Sequence, residues 1–491
     1  MPKTIFSFFS GAGLLDLGFE NANYNIAFVN EFNSQFLQAY QYARRNQNFI
    51  PQYGYHQCDI RNFLTGESNI TLHQQINDEH EHGNLVGFIG GPPCPDFSVG
   101  GKNKGRNGEN GVLAKSYVDL IIDCVPDFFV FENVKGLVKT AKHREYYEEL
   151  KAALCDAGYY ICDKTLNALN FGVPQDRERI ILIGIRNNIP HINAWLDENN
   201  NIDFPWLNNA VFDNINEIKN LVWIGQQEFT ENNIRHWPRR LPEQYKELAV
   251  ETWFRRNDVI HHPNGNDVFR VKAGLNKMQT IAEGDVSRKS FKRLHRWRYS
   301  PTAAYGNNEV HLHPYKIRRL SVAETMAIQS LPAWFSLPPT MTLSNKFKVI
   351  GNGVPYLMAE SIATTLREIL DELHQTGTSQ KFYNNEQALR SVVIMAYLSS
   401  VEHYMRFEEL DSGKGYSDIL FLPNATSSKP ALLIELKWDK SAPGAILQMK
   451  KKNYPQTLKK FKYHGEILLV GINYSTRSKK HTCKIERYQI Q

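Results

Sequence analysis

The stretch Leu85-Val86-Gly87-Phe88-Ile89-Gly90-Gly91-Pro92-Pro93-Cys94 reads as a buried strand that stops abruptly. Leu85 to Ile89 is a short apolar run. The two prolines end it and stiffen the turn that presents Cys94. Open α/β sheets bind ligands outside the carboxyl ends of their strands, so a thiol there stands where chemistry is done. A lone cysteine is more often an inert, small apolar residue. Three further motifs overturn that reading.

The first opens the chain. Thr4 to Phe9 is a strand, Ser10-Gly11-Ala12-Gly13 a turn, and Leu14 to Asn21 a helix. Gly11 and Gly13 let backbone approach a ligand at a helix N-terminus. The next strand, Tyr24 to Asn30, ends in Glu31, an acid placed to hold ribose hydroxyls or simply a solvated charge. A third segment ends Cys58-Asp59-Ile60. The full G-x-G-x-x-G fingerprint is absent, because Asp16 stands where its last glycine belongs. The second motif is Phe131-Glu132-Asn133-Val134, after the apolar run Phe128 to Val130. Its carboxylate is an acid/base partner if it lies near the cysteine, and otherwise a helix start. The third is Gln175-Asp176-Arg177-Glu178-Arg179, before the strand Ile180 to Ile185. Its alternating arginines share one face of an extended chain, which suits phosphate or base contacts, or an exposed charged edge.

Together these motifs resemble the DNA cytosine methyltransferases that act on carbon 5. The matches are Phe9-Ser10-Gly11-Ala12-Gly13, Asn30-Glu31, Asp59-Ile60, Gly91-Pro92-Pro93-Cys94, Glu132-Asn133-Val134, and Gln175 with Arg177 and Arg179. They continue with Arg318-Arg319-Leu320-Ser321 and close with Gly351-Asn352-Gly353-Val354-Pro355, covering about residues 1–370. Pro95 replaces the family's glutamine, and Gly353 its alanine or serine. The resemblance implies an α/β, Rossmann-like fold dependent on S-adenosylmethionine. Phe9, Gly11, Gly13, Glu31, Asp59, Ile60 and Asn352 would hold that cofactor, with Glu31 on its ribose and Asp59-Ile60 around its adenine. Cys94 would attack carbon 6 of cytosine, Glu132 would hold the ring, and Arg177 and Arg179 would assist. The target must leave the duplex stack. Gly100 to Gly111 reads as a lid over flipped DNA, or as a surface loop.

The chain of 491 residues has room for about three domains. Its net charge of +6 permits nucleic-acid binding without requiring it. Six scattered cysteines, without a C-x-x-C pair, argue against a zinc site or a disulfide framework. The absence of a long apolar stretch or a secretory signal points to the cytoplasm, with no membrane partner. Residues 1–189, completed by 346–375, are expected to form the catalytic domain. Residues 190–345 are expected to form a mixed α/β target recognition domain for double-stranded DNA, the enzyme methylating as a monomer. Six of the eight tryptophans (Trp195, Trp206, Trp223, Trp237, Trp253 and Trp297) lie between about 190 and 300, among basic clusters such as 288–298. That interleaving suits backbone contact and base stacking, or a solvated surface over an aromatic core.

After a linker at 375–380, residues 381–491 are expected to form an α/β domain. It begins with a helix over 385–404, followed by strands 416–422 and 431–437, a helix over 441–452 and a strand over 466–472. Asp418, Glu435 and Lys437 resemble the core of the PD-(D/E)XK nuclease superfamily, with Glu386 and Gln448 at supporting positions. Asp418 and Glu435 would share Mg2+ and Lys437 would place a water. The whole reads as methylation and cleavage fused in a restriction–modification system. The alternatives are a methyltransferase whose tail only binds DNA or protein, and an RNA cytosine methyltransferase.

Overall fold

The computed structural model describes residues 2–93, 109–232, 238, 241–270, 274–288, 290–302, 311–382, 404–411, 416–424, 429–452, 454–461, 463–475 and 480–488. It divides into two compact units, Met1–Leu373 and His374–Gln491. Among the described residues no helix is long and apolar enough to cross a membrane.

The first unit is built on strands β1 (Lys3–Phe8), β2 (Asn25–Asn30), β3 (Tyr55–His56), β4 (Leu85–Gly90), β5 (Phe128–Val134), β6 (Tyr159–Asn167) and β8 (Glu178–Arg186); the short β7 (Gln175–Asp176) stands apart. They form one sheet in the order β3-β2-β1-β4-β5-β8-β6. β1 to β5 are parallel, and β8 runs antiparallel to both its neighbours. Continuous runs such as Ile-Ile-Leu-Ile in β8 suit strands covered on both faces. Helices Leu14–Asn21, Ser34–Arg44 and Tyr356–Phe382 pack on one face, contributing Phe19, Leu37, Tyr40, Met358 and Leu366. Helices Glu67–Glu81, Glu109–Cys124 and Ala141–Asp156 cover the other with Leu72, Tyr117, Ile121 and Leu150. Strand order reverses between β1 and β4, which opens a crevice at their carboxyl ends.

The segment 375–380, expected as a linker, lies inside the helix Tyr356–Phe382. An isolated glycine such as Gly377 costs a helix only about 1 kcal/mol.

Residues 190–345 carry few regular elements. β9 (Lys292–Arg293) pairs with β11 (His311–Leu312), and β10 (Ser300–Pro301) pairs with β7. Cohesion comes from aromatic packing. Trp223 and Trp297 share a cluster with Tyr245, while Trp253 and Phe254 pack with Leu14, Leu17 and Phe36 of the first helices. These three indoles are buried, so they build core and are not surfaces for base stacking. Trp195 and Trp206 lean on the first-face core, and Trp237 lies outside the described residues. The basic run 288–298 is likewise partly internal. Arg296 is fully buried and bidentate on Glu283, at 2.8 and 2.9 Å. Buried Arg293 donates to the carbonyls of Ile281 and His313.

The second unit is a five-stranded sheet of β12 (Tyr404–Asp411), β13 (Tyr416–Pro423), β14 (Ala431–Trp438), β15 (Ile467–Ser475) and β16 (Lys480–Tyr488), in that order. Only β14 and β15 are parallel, and the helix Ala442–Lys451 lies between them in sequence. Ser441 caps that helix and Pro443 sits in its first turn, as the sequence leads one to expect. The helix expected over 385–404 falls on residues outside the described set, as does Glu386, except that Tyr404 opens β12.

Candidate active site

The parallel pairing of β4 with β5 sets Gly90 beside Phe131, so the turn after β4 meets the end of β5. Gly91 lies against the side chain of Glu132: a Cβ on Gly91 would stand 2.7 Å from its Oε2. Asn133 Nδ2 donates to the Pro92 carbonyl at 3.4 Å and ties the proline turn to the same strand. Cys94 and most of the expected lid lie outside the described residues; the chain enters them directly after Pro93.

Antiparallel pairing of β5 with β8 then brings Arg179 opposite Val134. Its Nε stands 2.8 Å from Glu132 Oε1, both side chains being about nine-tenths buried. Burial pushes the Glu132 carboxyl above its usual pKa, and Arg179 and then Arg177 pull against that shift. Arg177, whose charge bears on the same carboxylate, also reaches a second segment. Its Nη2 donates to the carbonyls of Gly351 and Gly353, at 2.7 and 3.1 Å. Gln329, bonded to Gln175 and to the Ile350 carbonyl, strengthens the same junction. Asn352 ends the helix Leu343–Asn352 and is exposed.

The nucleoside-like end is built at the carboxyl ends of β1 and β2. Phe9 and Gly11 have positive φ, 53° and 58°. Glu31 accepts from the Gly11 N–H at 2.9 Å through Oε2 and from the Asn33 N–H at 2.8 Å through Oε1. Burial raises its pKa, and those two amides oppose the rise. A carboxylate fixed this way keeps lone pairs for two neighbouring hydroxyls, so the donor set fits the ribose of S-adenosylmethionine. Asp59 caps the turn Ile60–Phe63 and pairs with Arg61, which holds its pKa down. The Ile60 side chain is core, packed with Phe28 and Phe63, which leaves only its backbone available to a ligand.

Gly13 is also fixed by packing beneath the turn. At φ 77° its Cβ would collide with the Tyr40 ring and the Arg44 guanidinium. Fully buried Arg44 donates to the carbonyls of Gly13 and Ala12, at 2.9 and 3.3 Å, and pairs with Glu20 at 2.7 Å. Asp16 accepts from Ser7 and Tyr40 at 2.9 and 3.0 Å, and burial lifts its pKa to about 6. This polar network under the turn was missed in the sequence. Asp16, sitting where a fingerprint glycine is lacking, was its one signal.

In the second unit Ile419 pairs with Ile434 across β13 and β14, which sets the Asp418 and Glu435 positions side by side. Of Asp418 only the backbone is described. Lys437 Nζ meets Glu435 Oε1 at 2.8 Å, and Gln448 Nε2 donates to the same oxygen. Both Glu435 and Lys437 are buried. A buried carboxylate with an ammonium beside it fits a hard divalent cation and a positioned water.

Residues 3–368 match the family model of C-5 cytosine-specific DNA methylases, and residues 384–484 that of the PD-(D/E)XK nuclease superfamily. The Type II methyltransferase M.NmeDI of Neisseria meningitidis serogroup C is 52% identical over 381 residues, 76% of this chain and 85% of that protein. M.FnuDI of Fusobacterium nucleatum, also a Type II methyltransferase, is 28% identical over 375 residues, 75% of this chain and 95% of that one. Among solved structures, the Entamoeba histolytica methyltransferase EhMeth is 16% identical, covering 76% of this chain and 99% of its own, at a TM-score of 0.47.

Proposed function

The chain belongs to the C-5 cytosine-specific DNA methylases, and from that premise we propose that it methylates carbon 5 of a cytosine flipped out of a specific duplex sequence, through a covalent bond to Cys94. S-adenosylmethionine, the donor used by C-5 methyltransferases, supplies an electron-poor methyl carbon. The Cys94 thiolate adds to carbon 6 of the ring, and the electron pair of the 5,6 double bond becomes available at carbon 5. Carbon 5 takes the methyl group and then loses its proton, and the electrons left behind expel the thiolate. Glu132 holds ring N3 and the exocyclic amine. Its raised pKa favours a proton shared with N3, and Arg179 fixes the carboxylate. Arg177 adds its charge beside Glu132 and clamps residues 351–353. Glu31 binds the ribose. Residues 190–345 read the DNA, residues 1–189 with 346–375 do the chemistry, and one copy suffices.

The observation that carries this reading is the contact of Gly91 with the buried Glu132–Arg179 pair, three residues before Cys94. Cys94→Ser should abolish methyl transfer and leave cofactor and DNA binding intact, because a hydroxyl is a far weaker nucleophile. DNA with 5-fluorocytosine at the target should trap the wild type covalently, since fluorine cannot leave as a proton does. Turnover by the serine variant, or faster transfer to RNA than to duplex DNA, would overturn the assignment.

We propose further that the PD-(D/E)XK unit cuts DNA lacking this methylation, as one half of a restriction–modification system. Asp418 and Glu435 would hold Mg2+, Lys437 a water, and Gln448 would steady Glu435. Plasmid cleavage with magnesium should vanish in Glu435→Ala and Lys437→Ala while methyl transfer survives. No cleavage by wild type in magnesium or manganese would leave the unit a binding module.

A further inference from the structure

On the second face of the sheet, helices Glu67–Glu81 and Glu109–Cys124 bring His73, Asp123 and Cys124 together. His73 Nε2 lies 2.9 Å from Asp123 Oδ2, and Cys124 Sγ lies 4.0 Å from His73 Nε2 and 3.9 Å from Asp123 Oδ2. Among the described residues this is the one group of three such ligands whose atoms all lie within 4.8 Å. We propose that it binds a thiophilic divalent cation of the zinc class.

Four observations support the site. Tetrahedral zinc with bonds of about 2.0–2.3 Å separates its S, N and O ligands by about 3.3–3.6 Å. The three separations here differ from those values by only about half an ångström, so closure needs no backbone rearrangement. The ligand set is also mixed: a thiol, an imidazole and a carboxylate, with room for a water as fourth ligand. A supporting contact is in place, since Asn69 Nδ2 donates to Asp123 Oδ2 at 2.7 Å and to the Phe63 carbonyl at 2.9 Å. Finally, Asp123 and Cys124 end a 16-residue helix, where the backbone dipole favours positive charge. Asp123 and His73 are partly open to solvent, which gives the ion an entry path, while Cys124 is buried behind them. The bound ion would exchange the His73–Asp123 hydrogen bond for two metal bonds and release the Cys124 proton to solvent.

The ion would staple two helices on the second face. The helix carrying Asp123 and Cys124 begins just after residues 94–108, so the staple would restrain an element leading out of the nucleophile turn. It would take no part in bond making, and the carboxylate site proposed around Glu435 contains no sulfur.

Full-length protein titrated with Cd2+ should develop a sulfur-to-cadmium absorption band in the near ultraviolet, saturating at one ion per chain for this site and displaced by Zn2+. Cys124→Ser should remove that band, and Asn69→Ala should weaken binding about 10- to 100-fold. His73→Gln should weaken it without unfolding the chain, judged by thermal melting in chelator. Cys155→Ser and Cys483→Ser, which alter the exposed thiols, should leave the band unchanged. A band that persists in Cys124→Ser, or no band in wild type, would overturn the proposal.

Discussion

Replacing Gly91 by alanine would reach the base-holding carboxylate without altering it. A Cβ there stands 2.7 Å from Glu132 Oε2, where ordinary contact starts at 3.4 Å, so the carboxylate must retreat by about 0.7 Å. It has little room to do so. Arg179 Nε holds the other oxygen at 2.8 Å, and both side chains are almost fully buried. The backbone itself objects to nothing, because Gly91 has no positive φ. Misplacing a positioning group by about 1 Å can cost about 100-fold in rate. A shift somewhat smaller than that should slow single-turnover methyl transfer about 10- to 100-fold, or about 1.4–2.7 kcal/mol. Rapid-quench transfer of a tritiated methyl group to a saturating duplex measures this directly. Calorimetric affinity for S-adenosylmethionine should not change, since the Glu31 end is untouched. Combining Gly91→Ala with Glu132→Gln should add little to the loss caused by Glu132→Gln alone. A wild-type rate for Gly91→Ala, or full additivity in the double variant, would refute the argument that the glycine serves the carboxylate.

Three other outcomes are expected. Glu31→Ala should weaken S-adenosylmethionine binding by roughly 1.5–3 kcal/mol, the value of a charge-assisted hydrogen bond, and unchanged calorimetric affinity would reduce Glu31 to a brace for the Gly11 turn. Glu283→Ala leaves fully buried Arg296 without its bidentate partner, so chemical denaturation should show a loss of about 3–5 kcal/mol. Burial lowers the pKa of His311 to about 3, with Lys292 adding to the shift. The unfolded chain therefore binds the extra proton first. The stability this group contributes is complete above about pH 6.5 and drains away as pH falls toward 3, at about 1.4 kcal/mol per unit. Denaturation curves from pH 7.5 to 4 should be flatter for His311→Leu than for wild type by that slope.

Strands β1, β2, β4, β5 and β8 were legible because each carries an apolar run that stops at a glycine or a polar residue, as Leu85 to Ile89 does before Gly90 and Phe128 to Phe131 before Glu132, whereas β6 was not, because Asp163 and Lys164 interrupt it. The chemistry-bearing residues were legible because they sit where those runs stop. What failed was the assignment of charge and aromaticity to surfaces. Arg293, Arg296, Trp223, Trp253 and Trp297 look like a nucleic-acid face in one dimension, yet they lie inside: Glu283 and carbonyls outside the local turn satisfy the two arginines, and the three indoles pack into apolar clusters. No local pattern announces a partner that is distant in sequence. The same holds for Arg44, which reads as the charged end of a helix and proves to be the floor beneath Gly13. Alternation groups Arg177 with Arg179, and both bear on Glu132, but nothing local announces that Arg177 also binds carbonyls more than 170 residues later. In the second unit β12 and β16 escaped notice, because edge strands such as Lys480–Tyr488 carry charge on most alternate positions and lack an apolar run.

The helix Tyr356–Phe382 supplies Met358, Ala359, Ile362, Ala363, Leu366, Ile369, Leu370 and Leu373 to the first-face core. That has a consequence for the order of events on the ribosome. The methylase unit lacks a wall until residue 373 has been made, and it becomes whole once that helix docks. The remaining 118 residues, 491 less 373, are still to come. At about 5–20 residues per second their synthesis takes roughly 6 to 24 seconds. Each new molecule thus has its methylase unit assembled before its PD-(D/E)XK unit is complete, and a nonsense mutation after residue 382 would leave the first unit without the second. Reversing the two halves in the gene would remove that head start.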